Sequence, residues 1–104
     1  MPLYMLYRSK AKPEYSNKRE VIDDLRTGFQ DIYKEHKIDI VGFWENADDP
    51  TETYYIAKYE DQADYEARVE QLHSDERYTK LTARLNEARM ETKATRLNPK
   101  WVPE

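Results

Sequence analysis

Residues 38–60 read IDIVGFWENADDPTETYYIAKYE, the pattern of a β-hairpin. Ile, Val, Phe, Trp and Tyr, the residues that favour strands, fill both flanks. Between them lie an Asn, two Asp and a Pro, which favour chain reversal. The reading places one strand over Ile38–Glu45, a turn over Asn46–Thr51 and a second strand over Thr53–Tyr59. Simple alternation puts Ile38, Ile40 and Trp44 on one face of the first strand, with Val41 and Phe43 on the other. In the second strand Tyr55, Ala57 and Tyr59 oppose Tyr54 and Ile56. A sheet wetted on one side alternates apolar with polar residues. Here both faces are apolar, so the hairpin is expected to be covered on both.

The neighbouring segments follow from the same rules. Leu3–Lys10 reads as a strand, with Leu3, Met5 and Tyr7 on one face and Tyr4 and Leu6 on the other. A loop at Pro13 leads to a helix from near Asn17, where Asn17 and Glu20 have capping-box spacing and Ser16 is an equally good cap. Val21, Ile22, Leu25, Phe29, Ile32 and Tyr33 form its core-facing stripe. Gly28 is read as lying opposite that stripe and weakening the helix modestly. His36 and Lys37 close it, as suits cations at a helix C-terminus. After the hairpin, Asp61 is a cap for a second helix carrying Tyr65, Val69 and Leu72. The pattern breaks at His73-Ser74-Asp75 and resumes, out of phase, with Tyr78, Leu81, Leu85 and Ala88, which predicts a bend. Glu91–Leu97, with β-branched Thr92 and Thr95, reads as a charged edge strand beside the first. The following tail has Trp101 as its one large anchor.

Composition bounds the rest. The chain of 104 residues is one domain, 1–104. It is 38% apolar and 37% charged, against about 45–50% and about 25% in ordinary globular proteins. Such a lean core points to oligomerisation as a source of further buried area. The net charge of −4 argues against nucleic acid and anionic membranes as partners. Without cysteine there is no disulfide, thiolate catalysis or thiolate-bound zinc. No apolar run is long enough to span a membrane, and MPLYMLYRSK lacks a signal-peptide pattern, so a cytoplasmic protein is expected. The only glycines are Gly28 and Gly42. That leaves no phosphate-cradling loop and no G-x-S-x-G elbow, which argues against nucleotide use and serine hydrolysis; no cofactor is expected.

The order β-α-β-β-α-β is that of a ferredoxin-like α+β sandwich: two helices cover one face of an antiparallel sheet, and a second copy covers the other by two-fold symmetry. With the hairpin IVGFWE…TYYIAKYE, the broken helix HSDERYTKL and the ending ATRLNPKWVP, the chain resembles the NIPSNAP family of the dimeric α/β-barrel superfamily. The resemblance implies a homodimer with sheets face to face. It leaves the activity open, since the wider superfamily includes cofactor-free monooxygenases, haem-degrading enzymes, cyclases and ligand-binding proteins.

The candidate site residues are few. His73 stands at the predicted bend, which the resemblance implies borders a pocket between helices and sheet. Its near-neutral pKa suits a general base; the plain alternative is a solvent-facing helix end. Tyr7 is the other candidate catalytic group. Tyr7, Trp44 and Tyr55 form a possible aromatic wall for a flat, partly polar ligand, with Arg8 as counter-charge to an anionic substituent. The plain alternative is core or interface packing. His36 is read as a helix-end cation. Glu45, Asp48, Asp49 and Glu52 at the hairpin tip lack the pattern of a Ca²⁺ loop, and no metal-binding spacing is present. These residues allow three functions: a cofactor-independent monooxygenase, isomerase or cyclase acting on an aromatic or polyketide-like molecule; a non-catalytic dimeric module binding a small hydrophobic ligand or a protein; and a stress or accessory protein whose dimer is only a scaffold.

Overall fold

A computed structural model describes residues 2–15 and 18–101, with the side chain of Arg19 outside the description. Strand β1 (Leu3–Ala11) leads through a 3-10 turn at Pro13–Tyr15 to helix α1 (Arg19–Glu35). The hairpin β2 (Asp39–Asn46) and β3 (Asp49–Tyr59) follows, then α2 (Gln62–His73), α3 (Glu76–Ala88) and β4 (Arg89–Leu97). The sheet is antiparallel with order β2-β3-β1-β4. This is the ferredoxin-like α+β arrangement, its second helix broken in two. The closing strand pairs with β1 along its length, Tyr4 opposite Leu97 and Lys10 opposite Glu91. Among the described residues no helix is long and apolar enough to cross a membrane.

Local chemistry sets the boundaries. The expected caps Ser16 and Asn17 lie outside the described residues. At its other end α1 closes in a Schellman motif: the Lys37 N–H donates to the Lys34 carbonyl at 3.1 Å and the Ile38 N–H to the Tyr33 carbonyl at 2.9 Å. Lys37 therefore takes a left-handed backbone, φ 58°, and Ile38 folds back into the core beside Tyr33. Asp61 caps α2, its Oδ1 accepting from the Asp64 N–H at 2.8 Å. At the break, Asp75 caps α3 by accepting from the Arg77 N–H at 2.9 Å.

Three expectations need correction. The hairpin reverses over Ala47 and Asp48, a tighter turn than the one expected at Asn46–Thr51. The Asn46 side chain accepts from the Asp48 N–H at 2.8 Å, and Asp49 accepts from the Thr51 N–H at 3.0 Å, so the polar residues shape the turn and a bulged strand start instead of a longer loop. Second, the register of β2 shifts between Ile40 and Gly42. This bulge inverts the alternation beyond it. Phe43 joins Ile40 on the helix side, opposite Tyr55, while Trp44 lies opposite Tyr54 on the outer face. Third, Gly28 lies on the flank of the α1 stripe, against α3. A β-carbon there would stand 2.9 Å from Leu81 Cδ1, so the glycine sits where two helices approach closely.

The core lies between sheet and helices. Leu3, Met5, Ala57 and Tyr59 from β1 and β3 pack with Ile32 and Tyr33 of α1, Ile38 and Leu72. The outer face carries Tyr4, Leu6, Tyr54 and Ile56, half-buried, with Trp44 48% exposed.

Candidate functional site

Towards the α1 and α3 side the core does not close. A cavity of about 320 Å³ lies between the sheet and these two helices. Its floor is set by strand register. Tyr7 of β1 and Phe43 of β2 both stand opposite Tyr55 of β3, so the three rings form a row across the sheet. Tyr7 and Tyr55 stack at 4.6 Å between centroids and Phe43 and Tyr55 at 5.7 Å. The roof is aromatic as well: Phe29 of α1 contacts Tyr78 of α3 edge-on at 5.8 Å and Tyr33 at 6.1 Å.

Polar groups are set into this apolar frame. The Tyr33 and Tyr55 hydroxyls hydrogen-bond to each other at 3.0 Å. Burial pushes the phenols of Tyr7, Tyr33 and Tyr55 well above their ordinary value, since a phenolate there would lose its hydration. Burial likewise raises Tyr59, to about 12. At neutral pH these hydroxyls are protonated, able to donate or accept a hydrogen bond and unsuited to proton abstraction. Thr82 Oγ1 of α3 is buried without a hydrogen-bond partner among the described residues, and Thr82 belongs to the cavity wall. Arg26 and Arg89 also line the cavity; its described lining contains no Asp, Glu or His.

The candidates from sequence divide accordingly. Tyr7 and Tyr55 lie on the cavity floor. His73 does not reach it: the residue is exposed at the end of α2, its ring 5.9 Å from that of Tyr78. Tyr78 lines the cavity and His73 lies outside that lining. Trp44 is on the opposite face of the sheet because of the β2 bulge. Arg8 is on that face too, being one residue out of step with Tyr7. It hydrogen-bonds to Glu52 at 2.9 Å, with Glu91 farther off at 3.8 Å. The ligand wall expected from Tyr7, Trp44, Tyr55 and Arg8 is therefore split between two faces.

The remaining candidates serve the frame. His36 Nε2 lies 2.8 Å from Asp75 Oδ2, and Arg77 Nη2 reaches the same oxygen at 2.7 Å. Arg77 also pairs with Glu35, so the end of α1 is tied to the start of α3. Arg77 and His36 hold the Asp75 carboxyl well below the usual carboxylate range. At the hairpin tip Asp49 serves Thr51 and Glu52 serves Arg8 and Tyr54. Among the described residues no three His, Cys, Asp or Glu side chains gather as a metal-binding group.

Phe29, Tyr33, Phe43, Thr82, Arg26 and Arg89 went unmarked in the sequence reading, although the first three were visible as apolar positions. Arg26 is on the margin of the α1 stripe, next to Leu25, a place normally solvated. Arg89 has no surrounding motif.

The NIPSNAP family model matches residues 11–100. The chain belongs to the NIPSNAP family. Its fold is shared by solved NIPSNAP proteins of low sequence identity. One from Agrobacterium tumefaciens is 15% identical, with TM-score 0.83 over 96% of this chain and 94% of that one. An uncharacterised NIPSNAP domain protein from Burkholderia xenovorans is 16% identical, with TM-score 0.77 over 98% and 99%. An antibiotic biosynthesis monooxygenase shares the fold more distantly, at 15% identity and TM-score 0.67 over 97% and 99%. No curated protein matches the sequence significantly.

Proposed function

We propose that this NIPSNAP protein binds a small, flat, largely aromatic molecule between its sheet and helices, and does so as a cytoplasmic homodimer. The observation that carries the reading is the cavity of about 320 Å³, at the lower end of the range for small-molecule sites, about 300–1,000 Å³. The protein's own side chains leave it unfilled, and its walls are rings with a few hydroxyls and guanidinium groups, the composition such sites use. Affinity would come mainly from buried ring area, about 25 cal/mol per Å² before association costs. Tyr7, Tyr55 and Phe43 supply the stacking floor, and the hydroxyls orient the ligand.

The dimer rests on a separate observation. The outer sheet face carries Tyr4, Leu6, Tyr54 and Ile56, with Val41 and Trp44 about half exposed. A second copy laid on it would bury apolar surface that one chain leaves wet; a standard interface takes about 800 Å² per partner. Sedimentation at micromolar concentration should give twice the chain mass, and a monomer would refute this part.

The fold shared with an antibiotic biosynthesis monooxygenase supports a second reading, catalysis on the bound molecule without a cofactor. In that case the described lining has no carboxylate or imidazole to remove a proton. The protonated tyrosines and the arginines would instead stabilise negative charge developing on a substrate that is itself acidic. The two readings separate in one experiment: a panel of quinols and flavonoids is titrated while oxygen uptake is followed. Saturable binding without turnover supports the binding module. Uptake that falls in Tyr55→Phe supports the enzyme, and absence of any binding opposes both.

A further inference from the structure

The charge of the cavity is opposite to that of the chain. The sequence has 21 acidic residues against 17 Lys and Arg, yet the described cavity lining has two arginines and no acid. The other two half-buried arginines are answered by carboxylates, Arg8 by Glu52 and Arg68 by Asp64. Arg89 is half-buried at the start of β4 and has no ion pair among the described residues. Arg26 has only Asp23, at 3.8 Å and 57% exposed. That is beyond hydrogen-bond distance and of little energetic consequence at a surface.

Placement adds to this. The Arg26 guanidinium lies 5.7 Å from the centre of the Phe43 ring, the end of the row formed with Tyr55 and Tyr7. Arg89 stands opposite Ala11 in the sheet, and both residues line the same cavity. A flat ring stacked on the aromatic row would bring a substituent towards these cations. The unpartnered Thr82 hydroxyl in the same wall is a further donor for it. A half-buried guanidinium with no carboxylate within hydrogen-bond distance keeps donors free, and an anion entering with the ligand would take them up.

We propose that the occupant of this cavity is a small aromatic carboxylate, its ring on the Tyr7–Tyr55–Phe43 row and its carboxylate held by Arg26 and Arg89. This rests on the cavity being a ligand site and adds the ligand's charge. Guanidinium is suited to the role because its planar fork matches a carboxylate and stays charged at any working pH.

The test is calorimetric titration of the full chain with benzoate, 2-naphthoate and anthracene-2-carboxylate, each beside its neutral primary amide. The proteins are wild type, Arg26→Gln, Arg89→Gln, Arg89→Lys and, as an exposed control, Arg84→Gln. At least one acid should bind about tenfold or more tightly than its amide, the size expected for charge-assisted hydrogen bonds. The preference should shrink in Arg26→Gln and Arg89→Gln, persist in part in Arg89→Lys, persist fully in Arg84→Gln, and weaken with added salt. Amide affinity should stay within about twofold throughout, which also shows that the variants are folded. Acid and amide binding equally to wild type would overturn the charge assignment while leaving the ligand site intact. A preference untouched by either Gln variant would also overturn it. No binding of any acid or amide would overturn both readings.

Discussion

The hydrogen bond between Tyr33 and Tyr55 is the sharpest point at which the site can be weighed. Tyr33 is 9% exposed, and its hydroxyl meets that of Tyr55 at 3.0 Å. Tyr55→Phe removes one partner and leaves the other hydroxyl buried and unpaired, which costs about 1–2 kcal/mol. Tyr33→Phe does the same from the α1 side. The double variant loses both hydroxyls and strands neither, so it should cost about 1 kcal/mol or less. The singles together would sum to about 3 kcal/mol, giving a coupling of about 2 kcal/mol. Urea denaturation of the four proteins at one concentration measures this. With m of about 1–3 kcal/mol per M, each single should lower the midpoint by about 0.5–1.5 M. Additive singles, within about 0.5 kcal/mol, would show that the two hydroxyls are not partners and refute the packing described.

Further outcomes follow from the frame. Lys37→Gly should raise stability by up to about 1 kcal/mol, because Lys37 holds φ 58°, where a β-carbon is disfavoured; a loss in thermal denaturation would contradict this. Gly42→Ala should shift Trp44 fluorescence, measured in a Trp101→Phe background, since a β-carbon at Gly42 would lie 2.6 Å from the Trp44 ring; an unchanged spectrum would mean the ring lies elsewhere. Asp75 has a folded pKa below its unfolded value, so its stabilisation is fully present above the unfolded value of about 3.9 and is lost as pH falls through the folded one. Asp75→Asn should therefore flatten the melting temperature's dependence on pH below about 4; an unchanged acid limb would contradict the Arg77 and His36 contacts.

The fold was legible because it depends on periodicity and punctuation. The α1 stripe, the Asp61 cap and the apolar β1 recur in the structure much as the sequence implies. The strand at Glu91–Leu97 could be placed by counting elements, despite its polar residues. The site was legible only where register is simple. Tyr7 and Tyr55 meet because the pairing of β1 with β3 runs without interruption. Trp44 was misplaced because a bulge costs one residue, and nothing in IVGFWE marks it except Gly42. His73 was placed by its position in the chain, but helix phase turns it outward. Arg26 and Arg89 were hidden for another reason. Whether an arginine meets a carboxylate within hydrogen-bond distance depends on how distant segments pack, as Arg8 and Glu52 show, and the sequence alone does not display it.

The central claim is that the cavity between the sheet and helices α1 and α3 receives an aromatic ligand. Its most direct test is an aromatic ¹H–¹³C NMR titration with 2-naphthoate. Resonances of Tyr7, Phe29, Phe43 and Tyr55 should shift together and saturate, while Trp44 on the far face of the sheet stays still. Movement of Trp44 with the cavity rings unmoved would contradict the claim.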